Sequence, residues 1–371
     1  MLPAVPESST GGGVLLLELL AFLASRGRVA AVVPVNQLTQ PLLAACAGHP
    51  DLAGIEWHGL TESRTPGFLG YVERLGGQLP SDAAKVATAE NHGTLERLRE
   101  TFEPTVELAV SSWALAAYRV QKLPHDARLF MINVDPEIVR YDGPSLKRRL
   151  ACMVDRPKVD RLCRTALATA RHVGAISAAD VPTLSRMGGR QDVAYVPPLM
   201  RPRLADRSHV DPGTVLITTN FTYSPNVTSL EWFFRECWPH VSEHARLTVT
   251  GKDDNDRLAR LCRSQRRTTY AGCLPPAELD DAFARTAVAV NPTRLGSGFQ
   301  IKLLDALARG VPVVSTAFSN TIGPAIPSSD NPRELAALIN ARLSPGSEPA
   351  FDYAAFHATS VAAWNRFLFN Y

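Results

Sequence analysis

Between residues 214 and 316 short apolar runs and amphipathic runs take turns, and that alternation constrains the chain more than any other feature. "TVLITT", "ARLTVTG", "TTYAG", "AVAVNPT" and "VPVVST" read as strands. "NVTSLEWFFRECWPHV", "DRLARLCRSQ", "PAELDDAFART" and the run after Thr293 carry apolar residues at helical spacing. Strands separated by helices pair in parallel through crossovers, and the helices cover both faces of the sheet. The expectation is a compact doubly wound α/β unit of roughly 100 residues, with ligands beyond the carboxyl ends of its strands.

A second alternation precedes it. "GGGVLLLELLAFLASRGRVAAVVP" reads as turn, helix, turn and strand. Leu16, Leu19, Leu20 and Leu23 mark one helical face, Gly27 is a stop signal, and Val29 to Val33 is a buried parallel strand. "VELAVSSWALAAY", "ARLFMINVD" and "ARHVGAISAAD" continue the pattern. Between the two alternations lies "VPPLMRPRLADRSHVDPG" (196–213), rich in Pro and Arg and without periodicity. It predicts an N-terminal unit over 1–200, a C-terminal unit over 206–345, and a terminal amphipathic helix over 350–371. A length of 371 residues with 45% hydrophobic content has room for two cores.

Several function classes drop out. A net charge of +3 is too small to argue for a nucleic-acid partner. Lys147-Arg148-Arg149 reads as a solvated helix face, the alternative being weak contact with anionic lipid headgroups. The six cysteines have no CxxC spacing and no His cluster, so neither zinc nor a disulfide scaffold is expected. "KDDND" (252–256) is a polar turn and helix cap rather than a metal motif, and no metal is assigned. The amino terminus lacks the pattern of a signal peptide, and no run is long enough to span a bilayer. The expected location is cytoplasmic, at most peripheral at the inner face of the membrane. Trp232, Phe233 and Trp238 have the spacing of helix core.

The candidate site is "NPTRLGSGFQIKLLDALARGVPVVST" (291–316). With Ser297 as N-cap and a helix from Phe299, unpaired N–H groups and the helix dipole face whatever lies ahead. Gly296 and Gly298 leave space for a bulky anion, and a diphosphate is the natural guest. Lys302 adds a full positive charge within one turn. Asp305 falls on about the same face and suits ribose or sugar hydroxyls. Together they suggest a sugar nucleotide. The alternative is a plain tight turn, with Asp305 paired to Lys302 or Arg309 on a solvated face.

The same segment resembles the signature of the group 1 (family four) glycosyltransferases, in the branch reading Gly-Ser-Gly-x-x-x-Lys. Gly296, Ser297, Gly298, Lys302, Ala306, Ala308, Gly310, Pro312, Val313, Val314 and Thr316 match it. "NFTYSPNVTSLEWFFRECWP" (220–239), "LTVTGK" (247–252), "AISAAD" (175–180) and "PESSTGGG" (6–13) are similar to other segments of that branch in the same order. The resemblance implies a GT-B fold: two Rossmann-like domains facing each other across a cleft, with the terminal helix crossing back to the N-terminal domain. It implies sugar transfer from a nucleotide sugar to a glycan, lipid-linked or small-molecule acceptor, with retention and without a metal or other cofactor. Asp305 and Lys302 are the catalytic candidates. Phe299, Gln300, Lys252 and Asn220 join Gly296, Ser297 and Gly298 at the donor site. Gly11, Gly12, Gly13, Asp135 and Glu137 are the acceptor-side candidates, and His92 is a further cleft candidate.

Three departures bear on this. Asp305 stands where many members have Glu, and Ser297 stands at the position of a second Glu. The stretch "NFTYS" lacks the cation that many members place after the first C-domain strand, so Lys252 or Lys302 would have to compensate. A degenerate chain that only binds or scaffolds is therefore the competing expectation. Finally, the resemblance predicts a strand ahead of the Gly loop, and Met1-Leu2-Pro3 is too short to hold it; the expectation is a start that lies upstream, the alternative being an N-terminal sheet that lacks its usual central strand.

Overall fold

The computed structural model describes residues 1–7, 11–62, 77–117, 127–134, 146–253, 256–296, 298–344 and 351–369. Two parallel systems are present, as the two alternations predict. In the N-terminal part β1 (Ala30–Val35) pairs in parallel with β2 (Glu56–Thr61). A separate ladder runs β3 (Leu108–Val110), β4 (Arg128–Met131), β5 (His172–Ala175) and β6 (Ala194–Tyr195), all parallel. Helix α1 (Gly11–Ala24) buries Leu15, Leu16, Leu19 and Leu20 against one face. Helix α2 (Ala89–Phe102) puts Leu95 on the other face with Val32 and Leu60. Both faces are covered, so β1, β3, β4 and β5 carry runs of consecutive buried residues rather than alternating ones.

The C-terminal sheet has the order β11-β10-β7-β8-β9. Its members are β7 (Thr214–Thr218), β8 (Arg246–Thr250), β9 (Thr268–Tyr270), β10 (Val288–Asn291) and β11 (Val313–Ser315). The chain builds outward from β7 on one side, then returns to build on the other. The strand order therefore reverses between β7 and β10, and a crevice opens at their carboxyl ends. Helix α3 (Ser224–Trp232) follows β7, and α4 (Ile301–Ala308) follows β10. Trp232, Phe233 and Trp238 are buried in the core of this unit, as their spacing predicts. Asp253 accepts from the N–H groups of Arg257 and Ala259, both at 3.1 Å, so this residue of "KDDND" caps a helix.

The segment 196–213 has no regular structure, yet it is tied down along its length. Buried Glu18 of α1 accepts from the backbone N–H and Nε of Arg201, each at 3.1 Å, and from Nη2 of Arg203. Arg203 N–H donates to Ala308 O at 2.8 Å, and Ala205 N–H donates to Arg309 O at 3.2 Å. The terminal helix α5 (Tyr353–Phe369) adds two more ties. Tyr353 donates to Met200 O at 2.8 Å, and the Trp364 indole donates to Pro197 O at 3.0 Å. α5 packs on the N-terminal sheet: the Trp364 ring meets Phe130 edge-on at 4.5 Å, and Arg128 Nε donates to Phe367 O at 2.6 Å. Among the described residues no helix is long and apolar enough to cross a membrane.

Candidate functional site: a helix mouth at the strand crossover

The site grows out of the crevice between β7 and β10. After β10 the chain cannot turn directly into a helix, because Asn291 and Thr293 first organise a loop. Asn291 Oδ1 accepts from Thr293 N–H at 3.2 Å and from Thr293 Oγ1 at 2.7 Å. Asn291 Nδ2 reaches Gln300 Oε1 at 3.3 Å, and Gln300 N–H donates to Thr321 Oγ1 at 3.2 Å. These bonds pin both ends of the Gly-rich loop. The helix then starts at Ile301 with Gln300 as N-cap, two residues later than the expected start at Phe299. The Gln300–Thr321 bond uses an N–H that a helix beginning at Phe299 would have left open. Ser297, Asp135 and Glu137 lie outside the described residues.

Lys302 sits on the first turn of α4. Its ammonium donates to Asn226 Oδ1 at 3.2 Å and to Thr293 Oγ1 at 3.1 Å. Asn226 belongs to α3, after β7, and Thr293 belongs to the loop after β10. Lys302 thus bridges the two walls of the crevice. Both partners are neutral. Burial disfavours the charged amine and pushes its pKa down to about 8. A desolvated cation with only neutral partners at a helix N-terminus is built to meet an anion.

The turn after β7 supplies the rest of this wall. Asn226 Nδ2 donates to Asn220 O at 2.8 Å, which fixes the amide that holds Lys302. Asn220 spends its own side chain on Thr222, accepting from the Thr222 N–H at 3.0 Å and hydroxyl at 2.7 Å. Its role is therefore to shape the turn. Phe221 N–H donates to Lys252 O at 2.9 Å, so the Lys252 backbone stands beside the same turn. A Cβ built on Gly296 would lie 3.6 Å from the Tyr223 hydroxyl, which puts that phenol at the rim of the loop.

The N-terminal part closes on this mouth from two directions. A Cβ on Gly11, at the start of α1, would lie 3.4 Å from Cβ of Ile301, at the start of α4. Two helix N-termini meet there. Gly298 has φ +78, and a Cβ on it would lie 2.4 Å from Asn133 Oδ1 and 2.8 Å from Ile132 O, just past β4. Gly12 has open space around its Cα, whereas a Cβ on Gly13 would fall 1.8 Å from Glu7 O. Gly13 is thus needed for packing of the chain ahead of the helix. Phe299 is buried. His92 lies in the first turn of α2, away from the bonds that define the mouth.

Asp305 pairs with Arg309, as one of the open alternatives expected, but the pair is largely buried rather than on a solvated face. Its Oδ1 accepts from Nη1 of Arg309, one turn on, and Arg309 Nε also donates to Asp280 Oδ1 at 2.8 Å. Arg309 is buried and its guanidinium lies over the Phe283 ring at 4.7 Å. Asp305 does not pair with Lys302. Its carboxylate secures the far end of α4 against the linker, whose Ala205 N–H is bound at Arg309 O. Asp305→Ala is expected to lower stability by about 2 kcal/mol by leaving Arg309 with one carboxylate partner, as chemical denaturation would measure. An undiminished stability would show that the pair contributes nothing.

Sequence reasoning missed Asn226, Thr293 and Tyr223. All three lie inside quoted segments, but neutral side chains carry no charge pattern to single them out. It also missed a cavity of about 320 Å³ beyond the carboxyl ends of β1 and β2, lined by Pro3, Pro34, Glu62, Lys85 and Trp113. Asn36 Nδ2 donates to Glu62 Oε2 at 3.1 Å and so aims that carboxylate.

Residues 212–344 match the family described as glycosyl transferases group 1. A search of curated protein sequences finds no match. Among solved structures, sucrose-phosphate synthase of Thermosynechococcus elongatus is 14% identical with a TM-score of 0.66, over 98% of this chain and 92% of that one. Anabaena HepE in complex with UDP-glucose is 14% identical with a TM-score of 0.59, over 99% and 94%. A variant of S. aureus TarM, solved with fondaparinux, alpha-GlcNAc-glycerol and UDP, is 9% identical with a TM-score of 0.52. That match covers 70% of this chain and 55% of TarM, so the chain spans about half the length of that relative. The protein has the GT-B fold, and its residues 212–344 are similar to the family described as glycosyl transferases group 1.

Proposed function

We propose that this protein transfers a sugar from a nucleoside diphosphate sugar to a carbohydrate, lipid-linked or small-molecule acceptor, with retention and without a metal. The observation that carries the reading is the Lys302 ammonium, desolvated between Asn226 and Thr293 beside two facing helix N-termini. The cation expected after β7 is absent from the sequence, and Lys302 of α4 reaches Asn226 on the first turn of α3, the helix that follows that strand. This favours an active donor site over a degenerate scaffold.

In such a transfer negative charge builds on the diphosphate as the glycosidic bond breaks. Lys302 and the N–H groups at the start of α4 would stabilise that charge in a site already short of water. Fixed donors of this kind need no reorganisation during the reaction, and the reading calls for no metal. The cavity beside Trp113 and Glu62 is our candidate for the acceptor: an aromatic face suits a sugar ring, and a carboxylate suits its hydroxyls. The same chemistry in a donor of UDP-glucose type fits what HepE and TarM hold in their complexes. The location remains part of the proposal: action in the cytoplasm, at most peripherally at the membrane.

Calorimetric titration with UDP, GDP, ADP, TDP and CMP, and with their sugar conjugates, tests the reading. Micromolar binding of one nucleoside diphosphate, with its sugar consumed only when an acceptor is added, is the expected result. Binding without turnover in any acceptor panel would favour the scaffold. Trp113→Ala is expected to raise the acceptor KM about tenfold and to leave donor affinity unchanged. Equal KM values in steady-state kinetics would remove Trp113 from the acceptor site.

A further inference from the structure

Helix α1 is apolar except at one position. Glu18 is its single charged residue, and its side chain is 2% exposed. The two guanidinium groups that meet it, those of Arg201 and Arg203, come from the linker and keep 49% and 41% of their side-chain surface in water. A carboxylate buried in this way adds little stability that a leucine would not, because desolvation offsets most of the attraction. What a buried ion pair can add is register, since it satisfies one arrangement of its neighbours and no other.

Arg203 serves two helices at once. Its guanidinium goes to Glu18 of α1, and its N–H donates at 2.8 Å to the carbonyl of Ala308, the last residue of α4. Ala205 N–H covers the next carbonyl, at Arg309, so linker atoms close the carboxyl end of α4. At the opposite end of the same two helices lies the contact of Gly11 with Ile301. Gly11 to Glu18 and Ile301 to Ala308 are equal steps, about 10 Å of helix each. Leu15 and Leu304, midway along them, belong to one buried cluster. The helices α1 and α4 thus run side by side in the same direction, touching at their amino ends and joined across the length of an arginine at the far rung. Two amino ends brought together carry like partial charges and repel. Leucine packing between them is non-directional, whereas a charge-assisted hydrogen bond has a set length and direction.

We infer that Glu18 is a positioning residue for sugar transfer. With Arg203 it forms a strut that holds α1 in register on α4, so that the Gly-rich start of α1 faces the donor mouth in one fixed alignment. The inference rests on the donor site proposed above at Lys302. Asn226, Thr293 and Lys302 all lie within the C-terminal unit, so donor binding does not pass through the strut. Asp51 accepts from Arg201 Nη2 at 2.5 Å on the outer, half-exposed side and lies off it.

The test uses UDP-glucose as donor and alkyl glucosides as acceptors. Glu18→Leu should stay folded, because the released guanidinium groups already reach water, and should melt within about 3 °C of wild type. Its affinity for UDP should stay within about threefold while kcat falls about 30-fold. Arg203→Met leaves Glu18 paired with Arg201 and should lose as much, and the double variant no more than either alone. Asp51→Ala should keep the wild-type kcat. The amides at positions 203 and 205 should exchange about tenfold faster in both single variants. Equal kcat in wild type and variants, losses that multiply in the double variant, or unchanged exchange at both amides would overturn the inference. So would a matching loss of UDP affinity, because Glu18 would then act on the fold of the donor site. Should Glu18→Leu fail to fold, Arg203→Met carries the same comparison. A wild-type chain silent toward UDP-glucose would count against the donor reading, and the exchange rates would then decide the strut by themselves.

Discussion

Replacing Lys302 with methionine is expected to make the free protein more stable and to cost it its nucleotide. The amine is held at a pKa of about 8 against an ordinary 10.5 because it is desolvated. The unfolded chain therefore binds more protons than the folded one between those values. The penalty is fully present below pH 8 and is relieved as pH rises through 8 toward 10.5. The shift sets an upper limit of about 3 kcal/mol on the gain from removing the charge at neutral pH. Wild-type stability should rise over that window relative to Lys302→Met, and denaturant melts at pH 7 and pH 10 would measure it.

Nucleotide affinity should move the opposite way. A diphosphate stabilises the protonated amine, so binding draws in a proton above pH 8 and weakens by up to tenfold per pH unit there. Lys302→Met should bind about 100-fold more weakly at pH 7 and lose that pH dependence. Calorimetry at several pH values checks both. A variant that keeps both its affinity and the wild-type pH slope would remove Lys302 from the diphosphate site.

The second large effect is expected at Gly298. Alanine there meets two obstacles at once. The φ of +78 lies in the left-handed region, which costs an L side chain about 1–2 kcal/mol. Its Cβ would also fall 2.4 Å from Asn133 Oδ1 and 2.8 Å from the Ile132 carbonyl. The side chain of Asn133 can rotate, but the carbonyl cannot, so the loop and the end of β4 must separate. A displacement of about 1 Å at a reacting centre is enough to slow a reaction about 100-fold. Gly298→Ala should therefore lose about that much in kcat/KM while its melting temperature moves far less. Activity within threefold of wild type would show that this approach of loop and strand does not position the reaction.

Much of the fold was legible because alternating strand and helix signals survive without any tertiary information. The doubly wound C-terminal unit, the core placement of Trp232, Phe233 and Trp238, and the irregular stretch at 196–213 all follow from local pattern. The site was legible only as a segment. Helical spacing put Lys302 and Asp305 near one face, and that spacing is the same whether a side chain meets a ligand or a neighbour. What separates them is the partner. Lys302 points to neutral groups on α3 and on the loop after β10, which sequence distance keeps far from each other, while Asp305 meets Arg309 one turn away. Glu18 was invisible for the same reason: a lone acid inside an apolar helix shows its purpose only when Arg201 and Arg203 arrive from the linker.

The seam along residues 196–213 also has a mechanical consequence. The backbone crosses between the two halves twice, once along this stretch and once before α5. Tyr353 and Trp364 stitch the second crossing to the first at Met200 and Pro197. Two pins on one edge favour a swing over a twist or a slide. A swing that parted Gly11 from Ile301 would bring them back in the same alignment.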